Sequence, residues 1–423
     1  MPVWLSVVAG AVLPRLEQAY LPGYTHRMSV SAALAFFSAV SSGMMALTGI
    51  VFAIAFVAVQ FSALAYSPGL VVMFADSPPI YHALGVFFAT FTYSLAALIW
   101  TDRGGSGTVP FFSALLVTIL LIVSMLAFAR LIRSVNNLQV HNVLQVIGTR
   151  VRSVICAMLP RLQQGANGTV STEIEVQEIL ARQPRQSAIP ANRARSQDTI
   201  SIPWHDWRRP MPSSPSKCGV GETLVEGAVV FRVHGASLPL PEQALMRAIR
   251  LSTSRTLEQD PKYAIRLLVD VAIRALSPAV NDPTTAVQAI DQIEDLLRRL
   301  SRGQLDAGYA RGPSGTIRVV FPVPGWPDYL ALSFDEIRQF GATSVQFVRR
   351  LRAALVGLAD ATTVINRHDA VLAYLDHLNR SVARSGFDDL DQAAALQEDR
   401  QGLGLPRKKH DRQVRSPDKT EAA

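Results

Sequence analysis

Ala32–Ala65 reads AALAFFSAVSSGMMALTGIVFAIAFVAVQFSALA, 34 residues without a Lys, Arg, Asp or Glu. Two more stretches of the same kind follow, Ile80–Trp100 (IYHALGVFFATFTYSLAALIW) and Val109–Ala129 (VPFFSALLVTILLIVSMLAFA). Each reaches the ~20 apolar residues that a helix needs to cross a bilayer's hydrocarbon core. A soluble chain would interrupt such runs with charges every few positions. Helices buried in a soluble core are the alternative, and three in succession argue against it. The expected fold class is a membrane α-helical protein, with three to four transmembrane helices, followed by a mainly α cytoplasmic α+β domain.

At ~1.5 Å per residue the first run would reach ~51 Å against a core of ~30 Å, so it must tilt, project or break. Ser41, Ser42 and Gly43, then Thr48 and Gly49, place small and hydroxyl side chains along it, and Gln60 lies near its end. Two readings stand side by side: close helix packing through small residues, or the polar face of a passive pore lined by Ser41, Ser42, Thr48 and Gln60. The runs contain no carboxylate or Lys at membrane depth, and His82 sits near a span end. That argues against an ion-coupled transporter and leaves a pore or an anchor. Met1–Leu13 has no basic start and no small-residue cleavage motif, and it is too short to span; it reads as a half-length first hydrophobic helix.

Hydrophobic residues make up 49% and mean hydropathy is +0.21, averages over a greasy first third and a charged remainder. The 423 residues therefore divide into a transmembrane region, 1–132, and nearly 300 residues outside it. Arg130, Arg133, Arg150, Arg152 and Arg161 follow the third run, whereas Thr101–Thr108 holds only Arg103. By the positive-inside rule the remainder faces the cytoplasm. The 66–79 loop has no Lys or Arg, and Arg15 and Arg27 precede the first run; the five-arginine cluster outweighs both. The net charge of +8 is spread over many arginines. No nucleic-acid partner is expected; the expected partners are the lipid bilayer and further copies of the chain. Cys156 and Cys218 stand alone, with neither a disulfide framework nor zinc-ligand spacing.

Residues 133–160 read as a helical stalk continuing from the third span, because Val140, Leu144, Ile147, Val151, Val154 and Met158 keep a 4-3-4-3-4 spacing. The stripe fits either a second copy or the chain's own domain. Residues 164–218 form a Pro-rich linker, read as mostly irregular, with a short strand at Thr199–Ile202. The cytoplasmic α+β domain is placed at 219–390. It opens on a β-hairpin, Gly219–His234, with glycines at turn-like positions. Asp260-Pro261 and Asp282-Pro283 each put a capping carboxylate before a proline at the first helical position. The first helix buries Ile265, Leu268, Val269, Ala272, Ile273 and Leu276, with Asp270 four residues from both Arg266 and Arg274. The second buries Ala286, Ile290, Ile293, Leu297 and Leu300. A β segment follows at Thr316–Pro322 and Tyr329–Phe334, then helices at Asp335–Ala359 and His368–Ala383. The last residues, 391–423, read as a disordered tail whose Arg407-Lys408-Lys409 either meets anionic headgroups or stays solvated.

Arg255-Thr256…Gln259-Asp260, then Asp270-Val271-Ala272-Ile273-Arg274-Ala275-Leu276-Ser277-Pro278, then Asn281-Asp282-Pro283…Thr285-Ala286 resembles the signature of the bacterial membrane proteins grouped as domain of unknown function 2254. Similar positions include Gly49–Ser62, GETLVEG at 221–227 and Ile337–Gly341, so the resemblance covers most of 30–380. Two departures stand out: the short Met1–Leu13 where family members carry a full helix, and the Pro-rich 184–216 where they carry a glycine-led strand. The resemblance implies architecture and location rather than chemistry.

Arg255, Asp260, Asp270, Arg274, Asn281 and Asp282 are the candidate site residues, as a structural scaffold or as a ligand site. No nucleophile–base pair, HExxH, Walker loop or Rossmann glycine pattern accompanies them, so no catalytic residue, metal or cofactor is assigned. The expectation is a non-enzymatic oligomeric assembly or passive pore with a cytoplasmic scaffold. The alternative is a membrane-tethered ligand sensor, and an enzyme built on 255–282 comes third.

Overall fold

The computed structural model describes residues 9, 12, 29–65, 78–103, 111–136, 140–158, 184–190, 198–201, 214–215, 219–225, 228–234, 250–252, 255, 257, 260–305, 309–311 and 317–405. They fall into two compact units, Met1–Val143 and Leu144–Ala423. Of Met1–Leu13, only Ala9 and Val12 are described, both helical.

The first unit contains α1 (Val30–Ala65), α2 (Pro78–Arg103) and α3 (Phe111–Asn136). All three are long and apolar enough to cross a membrane. Phe37, Val40 and Met44 share one buried cluster with Tyr93, Ala97 and Val117, while Val51 shares another with Ala83, Phe87 and Leu131. Early α1 thus meets late α2 and early α3, so consecutive helices run antiparallel. Polar side chains turn inward: Thr90, Ser94, Ser113 and Ser124 are fully buried, and the Thr90 and Ser124 hydroxyls lie 2.8 Å apart. Met45, Phe56, Met125 and Leu126 face outward. Such a surface suits lipid and not water.

The second unit begins within α4 (Val140–Met158). α3 is described to Asn136 and α4 from Val140, and the expected continuation between them falls at 137–139, outside the described residues. Leu144, Ile147, Val151 and Ile155 form the buried stripe of α4, with Val154 only half-buried. A straight helix has a period of 3.6 and drifts off the 3.5 spacing read from the sequence. The stripe is used within the chain: Arg152 pairs with Asp295 (2.6 Å) and donates to Gln292 (2.9 Å), and Gly148 leaves room for the Gln292 side chain.

Three small sheets follow. β1 (Pro184–Pro190) pairs antiparallel with β5 (Val229–His234). β2 (Asp198–Ser201) lies between β4 (Thr223–Leu224) and β6 (Arg250–Ser252). β3 (Ser214–Pro215) runs parallel to β8 (Ile317–Val320), which pairs antiparallel with β7 (Tyr309–Arg311). The expected hairpin at Gly219–His234 is therefore corrected: its two strands join different sheets. Their partners come from the Pro-rich stretch, which carries three strands and is not irregular throughout.

The helical core of this unit comprises α5 (Pro261–Ala275), α6 (Pro283–Leu300), α7 (Trp326–Gly341), α8 (Val345–Ala361), α9 (Ile365–Ala383) and the short α10 (Asp389–Ala395). Tyr329–Phe334, expected as a strand, belongs to α7. Trp326, Tyr329, Leu330, Ser333, Phe334 and Ile337 are buried at helical spacing, and the Asp328 carboxylate accepts from the Gly325 N–H (2.8 Å) at the helix start. Leu351, Leu355 and Leu358 bury α8 at the centre of the unit. The tail expected to be disordered from 391 is folded as far as Leu405; 406–423 lie outside the described residues.

Candidate functional site

The signature residues are distributed along α5 and the turn after it. Asp260 is the N-cap of α5, accepting from the Lys262 N–H (3.0 Å) ahead of Pro261, and it is only 4% exposed. A neighbouring turn, Gly219–Glu222, closes through Glu222 N–H to the Gly219 carbonyl (3.2 Å). Gly221 has φ +85, and a Cβ there would collide with the Asp260 carboxylate, so glycine is required for both conformation and approach. Lys262 Nζ donates to the Val220 carbonyl (3.3 Å). Burial raises the Asp260 carboxyl above the ordinary range, opposed by the charges of Lys262 and Arg255. Arg255 itself is exposed.

Further along α5, Asp270 pairs with Arg266 (2.6 Å), and Arg266 also grips Glu336 of α7 with two hydrogen bonds of 2.6 and 2.9 Å. Burial raises the Asp270 carboxyl, with Arg266 and, more weakly, Arg274 lowering it. Asp270 keeps a quarter of its side chain exposed, so the pair is partly solvated rather than deeply buried.

The segment Ala275–Asp282 turns the chain from α5 into α6. The Ser277 hydroxyl donates to the Arg274 carbonyl (2.7 Å), the Asn281 N–H to the Ser277 carbonyl (2.8 Å) and the Asp282 N–H to the Ala275 carbonyl (2.7 Å). Asn281 has φ 48, a left-handed conformation that Asn tolerates better than most residues. Asp282 then caps α6, accepting from the Thr285 N–H (3.1 Å) and hydroxyl (2.5 Å) ahead of Pro283. Asp260 and Asp282 flank the 15 residues of α5, at ~1.5 Å rise about 22 Å apart, so the signature does not converge on one pocket.

The most buried ion-pair cluster among the described residues lies elsewhere and was missed from sequence. On α8, Arg350 donates to Asp291 (2.7 Å) and Glu294 (2.6 Å) of α6, and Arg298 holds the other Glu294 oxygen (2.7 Å). The Arg350 and Glu294 side chains are 8% and 10% exposed. Gly357 permits this approach, since a Cβ there would collide with Arg298. Arg352 donates to the Asn379 side chain and the Ala395 carbonyl, and Arg367 of α9 to the carbonyls of Ser301 and Gly303 just past α6. The available signal was three arginines within four residues of a largely apolar helix.

The four candidate pore residues do not share a face. Ser41 and Thr48 are buried inside the three-helix unit, with the Thr48 hydroxyl donating to the Met44 carbonyl (2.7 Å), whereas Ser42 and Gln60 are exposed. Ser42 satisfies its hydroxyl on the Ser38 carbonyl (2.8 Å). Among the described residues, no group of His, Cys, Asp and Glu has the arrangement of a metal site. The geometry supplies caps, clamps and a tight interhelical turn.

A family model described as "Predicted membrane protein (DUF2254)" matches residues 1–202 and 216–356. An uncharacterized protein of Mycobacterium tuberculosis H37Rv is 25% identical over 372 residues, covering 84% of this chain and 69% of that protein. An uncharacterized protein of Mycobacterium bovis gives the same figures. No solved structure matches.

Proposed function

This chain belongs to the DUF2254 family of predicted membrane proteins, and from that premise we propose that it is a non-enzymatic membrane scaffold. It self-associates within a bacterial inner membrane and holds a rigid helical domain in the cytoplasm. The observation that carries the non-enzymatic reading is the dispersal of the signature: each of Asp260, Asp270, Asn281 and Asp282 has a backbone or ion-pair role. A catalytic group usually keeps an unspent acid, base or nucleophile aimed at a cavity.

Self-association is supported by the outward face of α1. Ala35, Ala39, Ser42, Ala46, Gly49 and Ala53 are all exposed at 4-3-4-3-4 spacing, and a Cβ on Gly49 would meet nothing within 4 Å. Small residues let helix backbones approach closely in lipid, where packing and not hydrophobicity drives association. The α4 stripe is occupied within the chain, so the contact between copies is assigned to the membrane region. With Ser41 and Thr48 turned inward, this α1 face supports an assembly better than a polar pore.

Crosslinking in native membranes should trap multimers of the wild type, and Gly49→Leu combined with Ser42→Leu should reduce them several-fold while leaving the expression level unchanged. A monomer in crosslinking and in nanodisc mass measurement would remove the assembly reading. Orientation rests on the five arginines from Arg130 to Arg161. A reporter fused after Leu390 should be active in its cytoplasmic form, and activity of the periplasmic form alone would reverse the topology.

A further inference from the structure

Of the three arginines on α8, Arg350 is paired with Asp291 and Glu294, whereas Arg349 and Arg352 form no ion pair among the described residues. Both are buried, 5% and 8% exposed. Arg349 spends Nη1 on the Gly404 carbonyl (2.7 Å), while its Nε and Nη2 are buried with no hydrogen-bond partner among the described residues. Those two nitrogens form the side-on fork of a guanidinium, the edge with which Arg298 grips Glu294. Arg352 donates to the Ala395 carbonyl (3.4 Å) and the Asn379 side chain, and burial pushes its guanidinium below the ordinary range, opposed by the charge of Glu398. A guanidinium shielded from water among neutral partners is costly.

What shields them is the segment after α10, residues 396–405. Gln346 donates to the Gly402 carbonyl (2.6 Å), and the Asp399 N–H donates to the Arg349 carbonyl (3.3 Å). The Asp399 carboxylate is used inside the segment, accepting from the N–H groups of Gln401 (3.0 Å), Gly402 (2.9 Å) and Gly404 (2.6 Å), so it folds this strap and does not pair with Arg349. Within 396–405 only Asp399 and Gly402 are buried, with Gly402 close against Val287 of α6, and Leu396, Leu403 and Leu405 are all exposed. No apolar side chain anchors the strap. A segment held by polar contacts alone opens locally at less cost than global unfolding. We propose that residues 396–405 are a displaceable strap over a phosphate-binding site, in which the Arg349 fork takes two phosphate oxygens and Arg352, three residues along the same face of α8, takes a third. A phosphate offers the oxygens and the charge to engage two guanidiniums at once. Solvent does not reach the fork nitrogens while the strap is closed, so strap and phosphate compete for the same arginines and the ligand favours the open form. The chemistry is that of a phosphate group, free or on a lipid headgroup, and the test separates the two.

The test uses the full chain in detergent and in nanodiscs, read by hydrogen exchange of the Gln401, Gly402 and Gly404 amides and by calorimetric titration. Inorganic phosphate should speed exchange of these amides several-fold, and chloride at the same ionic strength should not. Apparent affinity scales with the fraction of molecules whose strap is open, so Asp399→Ala, which removes the acceptor of three N–H groups, should tighten phosphate binding at least about tenfold. Arg349→Gln in that background should abolish binding, and Arg349→Lys, which keeps the charge and loses the fork, should weaken it several-fold. Exchange of the α6 amides reports that each variant is folded, and the wild-type exchange experiment stands whether or not the variants fold. A response to inorganic phosphate in detergent supports the site with free phosphate as its ligand; a response confined to nanodiscs containing phosphatidic acid supports it with a lipid headgroup. Strap exchange unchanged or slowed by both sources, a folded Asp399→Ala protein that binds neither, or binding that survives Arg349→Gln would overturn the proposal.

Discussion

Glu294→Ala should lower the thermal midpoint of the detergent-purified protein by about 10 °C, the largest effect expected of a single charged residue here. The Glu294 carboxylate is bonded by Arg350 (2.6 Å) and Arg298 (2.7 Å), and both it and Arg350 are almost fully buried. Removing it leaves the Arg350 guanidinium in the core with Asp291 as its remaining carboxylate partner. Breaking a buried pair from one side costs about 3–5 kcal/mol, because the surviving charge loses its compensation without regaining water. A domain of this size shifts by about 2–4 °C per kcal/mol. Glu294→Gln keeps the shape and one acceptor, and should recover part of the loss. A midpoint within about 2 °C of wild type for Glu294→Ala would mean that the α6–α8 clamp does not hold the domain together.

The second large effect is steric. Gly341 ends α7, and a Cβ there would fall within the ring of Phe347, which is fully buried at the start of α8. Ala is the better helix former by about 0.5–1 kcal/mol, which alone would stabilise Gly341→Ala. Overpacking a closed core costs about 1–3 kcal/mol and the ring is fully buried, so the clash should win. The expected result is a midpoint about 5 °C lower. Phe347→Leu should cost stability by itself yet soften the effect of Gly341→Ala, a coupling that a double-mutant cycle reads directly. Additive effects would show that the two residues do not press on each other.

What could be read from the sequence follows the range of the forces involved. The spans were legible because charge is absent over helical lengths: α1 and α2 cover the first two quoted runs, and α3 covers the third from Phe111 on. The caps at Asp260 and Asp282 were legible because the carboxylate, the proline and the receiving N–H lie within a few residues. The buried face of α6 was read correctly down to Ala286, Ile290, Ile293, Leu297 and Leu300. Strand pairing was not legible: β5 finds its partner in Pro184–Pro190, and nothing local announces that. Tyr329–Phe334 alternates enough to suggest a strand, but the cap at Gly325–Asp328 and the burial of Trp326 and Ile337 extend the pattern to helical period. The role of Arg350 was not legible because its carboxylates are 59 and 56 residues away. Asp399 sat in a segment with the composition of a tail, and only its three backbone hydrogen bonds give it a role.

The structural role of the signature is the central claim, and it rests on residues that a catalytic reading would use differently. Loss of an N-cap costs about 1 kcal/mol, so Asp282→Ala should lower the midpoint by about 3 °C. Asp270→Ala removes a partly solvated pair and leaves Arg266 bound to Glu336, so a smaller fall is expected. Catalytic residues are commonly held at a cost to stability, and their removal leaves the fold unchanged or firmer. The deciding measurement is the thermal midpoint of Asp270→Ala and Asp282→Ala beside wild type in one detergent. A fall in both is the result a structural signature requires; midpoints unchanged or raised in both would contradict it and favour a ligand or catalytic site at these residues.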